Sequence, residues 1–381
     1  MEKVVSENTH WYSVENADVI PSPALLVYPD RIESNIQKMI EIAGDTDILR
    51  PHVKTHKMSE IIRLQMKHGI YKFKCATISE AEMVAKCGVK DILLAMQPVG
   101  PNLNRFFKLK KKFPDSKISC IADNEDIIYQ LSAMAKKTGL ETHVWLDINN
   151  GMNRTGISLG EAALLYKMII NLPGLKAEGI HVYDGHIHEE DFNLRQRICN
   201  EAFVPVKIFV DELFNEGISK VKIVAGGTPS FPIHALRASL PRISGGVECS
   251  PGTLLLWDYK SSSSLADMDF LHAAVLLTRV VSKPAKDLLC LDLGHKSVAS
   301  EMPQPRIKIF GLDEFTVINH SEEHMVIRSS EASRFNTGDH LYCIPYHICP
   351  TVALYDYVSV VNEHRVTGKW NVEARKRKIT I

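Results

Sequence analysis

Several things are scarce in this chain, and each scarcity removes a class of function. No net charge remains when 45 basic side chains are set against 45 acidic ones, which argues against a general binder of nucleic acid or of an anionic membrane surface. No apolar run approaches the ~18 residues of a membrane span. The first twenty residues, MEKVVSENTHWYSVENADVI, lack the apolar core of a secretory signal. The eight cysteines include no CxxC pair and sit mostly in apolar segments, as reduced, buried thiols do. A cytoplasmic protein with neither a nucleic-acid nor a membrane partner is expected.

What the chain has is rhythm. From Pro21 short apolar strands alternate with amphipathic helical segments such as RIESNIQKMIEIAG and NEDIIYQLSAMAKKTG. The strands predicted are 24–28, 48–55, 72–77, 91–96, 117–123, 142–149, 177–185 and 222–227. Eight strand–helix units predict an α/β fold, a (β/α)8 TIM-like barrel over 21–258. A doubly wound open sheet is the alternative, but LLVYPDRIES carries no dinucleotide glycine fingerprint after the first strand. Beyond the polar link SSSSLADMD the pattern turns to β-type runs, which predicts a mainly β C-terminal domain over 265–381. Residues 1–20 fit no barrel strand and are expected to join that domain.

In such a barrel the chemistry lies at the C-terminal strand ends. DILRPHVKTHK, residues 47–57, places Arg50, His52, Lys54, His56 and Lys57 at one of them. Arg154 follows another strand; Tyr183, His186 and His188 follow a third. A lysine among cations in a partly desolvated mouth has a lowered pKa and can form a Schiff base, although a solvated basic strand end or an anion clamp accounts for Lys54 as well. AGGTPS follows the last predicted strand; Gly226 and Gly227 let backbone N–H groups approach an anion, and Thr228 and Ser230 add hydroxyls. A phosphate cradle with a Schiff-base lysine suits pyridoxal phosphate. In CIPYHICPTVALYD, His347 and Cys349 are two residues apart; on a strand they would share a face and suit zinc, or simply pack.

RPHVKTHK, NRTG, VYDGH, GGTPS, EEH and HICPTVALYD together resemble the D-threonine aldolase and D-serine dehydratase family, pyridoxal-phosphate enzymes related to alanine racemase. The resemblance runs from about Pro21 into the 350s. It implies that Lys54 carries the cofactor, with His52 beside it. It places Arg154 and Tyr183 around the cofactor ring and the GGTPS backbone on its phosphate. His347 and Cys349 would bind a divalent metal. It further implies a homodimer and a small D-amino-acid substrate. The D-configuration comes from the resemblance alone.

One motif points two ways. A cysteine as the metal partner of the histidine is similar to the dehydratases, whereas PTVALYD is similar to the aldolase tail. The thiolate also tilts the metal from manganese toward zinc. The reaction expected is cleavage of a β-hydroxy-D-amino acid to glycine and an aldehyde, with His188 or His186 as the base at the hydroxyl. The alternative is deamination to a keto acid and ammonia. An amino-acid racemase and a non-catalytic pyridoxal-phosphate-binding protein are further alternatives.

Overall fold

The computed structural model describes residues 10–238 and 245–381. The part of the N-terminal segment before His10 therefore lies outside the described residues. The chain divides into two compact units. One takes the described residues of Ile36–Leu254, Ser264–Met268 and Lys376–Ile381; the other takes those up to Asn35, Leu255–Ser263 and Asp269–Arg375.

The first strand, β1 (Ala24–Val27), is not a barrel strand. It pairs antiparallel with β9 (Ala274–Ser282) and parallel with β15 (Tyr357–Asn362). An all-apolar run reports burial on both faces but not the partner, so its sequence suits either sheet.

The α/β unit holds seven parallel strands in sequence order: β2 (Lys72–Cys75), β3 (Asp91–Leu94), β4 (Lys117–Ala122), β5 (Thr142–Ile148), β6 (Leu175–Val182), β7 (Lys222–Ala225) and β8 (Val247–Cys249). Helices connect them in the described residues, and the strand interiors are buried on consecutive positions, as a sheet covered on both faces requires. The three-residue β8 was not expected; Glu248 interrupts it, so it lacks the apolar run that marks its neighbours.

Residues 49–53 fill the seam between β8 and β2. Arg50 N–H donates to Cys249 O (2.8 Å), His52 N–H to Pro251 O (2.8 Å), and Lys74 N–H to Pro51 O (2.9 Å). Pro51 has no N–H, so the segment makes isolated bridges rather than a regular strand. It is nevertheless the eighth stave of the TIM-like barrel.

A chain of ion pairs ties the staves together. Arg50 Nε lies 2.6 Å from Glu248 Oε2 on β8, and its Nη1 lies 2.7 Å from Asp91 Oδ1 on β3. Lys72 of β2 reaches Glu248 (2.9 Å), and Lys117 of β4 reaches Asp91 (2.9 Å) and Glu178 of β6 (3.1 Å). His143 of β5 and Lys222 of β7 also pair with Glu178, at 2.5 and 3.6 Å. Each stave thus contributes one titratable side chain.

The second unit is mainly β. Its remaining strands are β10 (Leu288–Leu291), β11 (Ile307–Ile309), β12 (Thr316–His320), β13 (Met325–Arg328), β14 (His340–Pro345) and β16 (Arg365–Asn371). The sheet runs β12-β13-β10-β9-β1-β15-β16, with β14 on β9 and β11 on β14. The strands β12 and β16 are largely exposed and polar, which is why no apolar pattern announces them. The four serines lie in a short helix, Tyr259–Ser264, rather than in an extended link. Residues 11–20 pack on the sheet: Tyr12 stacks on Phe310 with ring centroids 3.8 Å apart, and Arg279 donates to the carbonyls of Ala17 (2.7 Å) and Ile20 (2.8 Å).

Arg50→Met should destabilise the barrel by on the order of 3–5 kcal/mol, because Glu248 and Asp91 would each lose a buried counter-charge. Urea unfolding followed by barrel-tryptophan fluorescence at Trp145 would read it.

Candidate active site

A cavity of about 430 Å³ opens among the C-terminal strand ends. Lys54 reaches it from the loop after the 49–53 stave, Lys74 from β2, Asp147 from β5, His181 from β6, and Arg154 and Tyr183 from the loops beyond β5 and β6. The Tyr183 ring is the meeting point of the cations. Arg154 Cζ stands 4.7 Å from its centroid, and the Nζ atoms of Lys54 and Lys74 each stand 5.6 Å away. The negative face of an aromatic ring attracts cations at such distances. Glycine makes room for the ring: a Cβ at Gly185 would come within 2.4 Å of its phenol, and one at Gly227 within 3.2 Å of Cε2.

The sequence does not single out Lys74 or His181. Lys74 is 2 % exposed. Its Nζ lies 3.3 Å from His181 Nε2, and His181 Nδ1 lies 2.7 Å from Asp147 Oδ1. The β5–β6 register sets Asp147 directly beside His181. Burial, and then the charge of Lys54, push the Lys74 pKa down to about 7, although Asp147 and Asp184 act against this. Burial and Lys74 also lower the pKa of His181. His52, buried beside them, is held well below the usual imidazole range by burial and by Lys54 and Lys74. A signal for the trio exists: each member is the one polar residue in an apolar triplet, Phe73-Lys74-Cys75, Leu146-Asp147-Ile148 and Ile180-His181-Val182.

The GGTPS loop follows β7 and leads into the helix Phe231–Ala238. Thr228 Oγ1 accepts from the N–H groups of Gly252 (3.1 Å) and Thr253 (3.2 Å), which joins this loop to the one after β8. Ser230 is committed inward: its hydroxyl donates to Asp184 Oδ1 (2.7 Å) and faces Gly227 N–H (3.3 Å). In this structure its hydroxyl braces the loop. Asp184 Oδ2 in turn meets His234 Nε2 at 2.7 Å.

Asp184, Cys199 and His234 are also the one trio of potential metal ligands among the described residues whose donor atoms lie within 4.8 Å of one another. Arg237 donates to His234 Nδ1, and burial pushes the Cys199 thiol up to about 12. A cation beside a guanidinium and a protonated thiol is disfavoured, so we read this trio as a hydrogen-bonded brace.

The other predicted residues separate. His186 is half-buried against Gly151, His188 is exposed, and neither lines the cavity. His186 lies in the turn that follows Tyr183, and His188 comes two residues later. His56 accepts from Met58 N–H (3.1 Å), and burial pushes its pKa down to about 3, so it is a structural cap. Lys57 pairs with Glu80.

In the β unit, His347 and Cys349 do not lie on a strand. They open the short helix Ile348–Val352, where Asp258 accepts from Ile348 N–H at 3.0 Å. The two side chains still meet. Burial lowers the pKa of His347, but the hydrogen bond and charge of Cys349, then Asp258 and Glu301, outweigh it and raise it to about 9. His347 Nδ1 sits 2.5 Å from Glu301 Oε1.

The profile of the family "Alanine racemase, N-terminal domain" matches residues 27–231. The chain belongs to that family. A second profile, "Putative serine dehydratase domain", matches residues 273–361. The chain is 29 % identical to a D-threonine aldolase of an Arthrobacter species over 93 % of both chains. It is 28 % identical to a 3-hydroxy-D-aspartate aldolase of Paracoccus denitrificans (strain Pd 1222) over 93 % of this chain and 92 % of that one. It superposes on the crystal structure of the D-threonine aldolase from Filomicrobium marinum with a TM-score of 0.86 and 25 % identity, covering 95 % of this chain and 97 % of that one. These relatives are lyases of D-amino acids, in a family that depends on pyridoxal phosphate. Among the described residues no helix is long and apolar enough to cross a membrane.

The cavity fits that cofactor. It is rich in cations, Gly185 and Gly227 leave room for the Tyr183 ring that lines it, and Asp147 Oδ2 lies buried in it without a partner among the described residues. Gly252→Ala tests the cradle, since a Cβ there would come 2.9 Å from His52 O and 3.2 Å from Thr55 Oγ1. Overpacking of this kind costs about 1–3 kcal/mol, so pyridoxal phosphate should bind roughly ten- to a hundredfold more weakly in a visible-absorbance titration.

Proposed function

We propose that this protein is a lyase of β-hydroxy-D-amino acids that uses pyridoxal phosphate and a divalent metal, and that it releases glycine and an aldehyde. One observation carries the reading: Lys54, Arg154 and Tyr183 converge in one 430 Å³ cavity beside the GGTPS loop. Lys54 would hold the cofactor, with Tyr183 and His52 around it. Gly226, Gly227 and Thr228 would present the phosphate cradle, and Arg154, which stands over Tyr183, would sit beside the cofactor ring. When bound, pyridoxal phosphate supplies an electron sink for charge developing at Cα.

His347 and Cys349 are the metal ligands in this reading. The carboxylate of Glu301 fixes the imidazole through Nδ1 and leaves Nε2 for the ion, an arrangement common around metal-bound histidines. A metal there would supply a Lewis acid. Imidazole with thiolate favours zinc over manganese. A homodimer and a cytoplasmic location complete the reading; most of the eight cysteines are buried thiols.

A dehydratase giving keto acid and ammonia is the second reading. The thiol of Cys349 beside His347 favours it.

The deciding assay adds D-threonine and D-serine separately to protein supplied with pyridoxal phosphate and zinc. Glycine with acetaldehyde is the expected outcome. Keto acid with ammonia would overturn the aldolase in favour of the dehydratase. Lys54→Ala should abolish both the products and the Schiff-base absorbance. A separate check concerns Glu301: Glu301→Gln should weaken zinc binding about 10–100-fold by competition with a chromophoric chelator.

A further inference from the structure

The cavity contains a second amine, and nothing in the reading above uses it. Lys74 lies in the middle of β2, 2 % exposed, yet its side chain lines the cavity and stands as far from the Tyr183 ring as Lys54 does. A lysine at a buried strand position is costly, and it persists only where partners or function hold it there. Its partners are ordered. Asp147 accepts from His181 Nδ1–H, which fixes the tautomer and makes Nε2 an acceptor. Nε2 then takes one N–H of Lys74. A neutral amine held in this way keeps its lone pair for the cavity.

We propose that Lys74 is a catalytic acid–base of this cavity, with His181 and Asp147 as the pair that positions it; this rests on the lyase reading of the same site. Cleavage of a β-hydroxy amino acid to glycine and an aldehyde moves one proton, overall, from the β-hydroxyl to Cα. A single amine can accept that proton as the Cα–Cβ bond breaks and return it to Cα, which closes the balance without a further acid or base. The positive charge it carries in between is offset by Asp147 across His181. This gives the site a base where His186 and His188 do not line the cavity.

The groups facing Lys74 set where it titrates. They are Lys54 and His52 on the loop and stave beside it, Arg50 below, Asp147 on β5, His181 on β6 and Asp184 after β6. Burial and Lys54 favour the neutral amine near pH 7, while the two carboxylates favour the ammonium. Activity that needs the free amine therefore rises with pH through this titration. Removing the Asp147 charge moves the rise to lower pH.

The test uses lysine labelled with carbon-13 at Cε, followed by NMR titration of the cofactor-free protein. One signal should titrate near pH 7, vanish in Lys74→Met, and move to lower pH in Asp147→Asn. In the protein supplied with pyridoxal phosphate and zinc, Lys74→Met should keep the Schiff-base absorbance and cofactor affinity but lose about a hundredfold or more in turnover of the β-hydroxy substrate. Asp147→Asn should shift the acid limb of the pH profile in the direction of the NMR shift. Lys74 titrating above pH 9, or Lys74→Met turning over at the normal rate with an unchanged profile, would overturn the proposal. A wild-type protein with no Schiff-base absorbance would overturn the lyase reading and this proposal together. Absorbance present with Lys74→Met fully active would overturn this one alone.

Discussion

Arg50 is fully buried between Glu248 on the edge strand β8 and Asp91 on β3, the second strand in from the other edge, so one guanidinium links the two ends of a sheet that would otherwise stay open. Burying a cation is expensive, and its two carboxylates offset that cost only in one geometry. The closed register is that geometry. Residues 49–53 are thereby fixed against both neighbours, and His52 and Lys54 follow within four residues of Arg50. The aim of the cavity lysine thus depends on an ion pair below it. The cation cluster at 50–57 is several devices in sequence. Arg50 closes the barrel, Lys54 faces the cavity, His56 caps a backbone N–H, and Lys57 pairs with Glu80.

A second constraint acts at the mouth. Three cationic side chains surround one phenol ring, and like charges at such range repel. The protein relieves this in two ways. Lys74 is driven toward its neutral form, and Asp147 lends negative charge through His181. What remains is an electropositive hollow that suits a phosphorylated cofactor and a substrate carboxylate. The brace of Ser230, Asp184 and His234 does the corresponding work behind the phosphate loop, where hydrogen bonds rather than net charge hold the turn.

Most of the architecture was legible because barrel strands have a simple signature, an apolar run after a helix that ends in glycine. The failures have physical causes. ALLV at 24–27 reads as a barrel strand because burial on two faces looks alike in any sheet. VEC at 247–249 is too short and too polar to read as one, and residues 49–53 are broken by Pro51. In the site, Lys54, Arg154, Tyr183 and His52 could be found because they sit beside glycine-rich or cation-rich strand ends. Ser230, although in the same motif, turns inward, and sequence cannot tell a hydroxyl that faces a ligand from one that braces a loop. His186 and His188 were picked because they follow the same strand as Tyr183, yet neither lines the cavity. The trio of Lys74, His181 and Asp147 needed register, because three residues on three strands are brought together only by pairing.

The pairing of β1 with β9 and β15 also orders events during synthesis. Leu26 lies beside Ser359, more than three hundred residues later in the chain. The parallel sheet, by contrast, closes when β8 emerges, because its staves all lie between Leu49 and Cys249. A ribosome therefore releases the material for the barrel while the first strand of the other sheet still has neither partner. Those four apolar residues, Ala24–Val27, must stay out of wrong pairings until β9 and then β15 have been made. Until β9 is made, β1 has both of its edges unpaired.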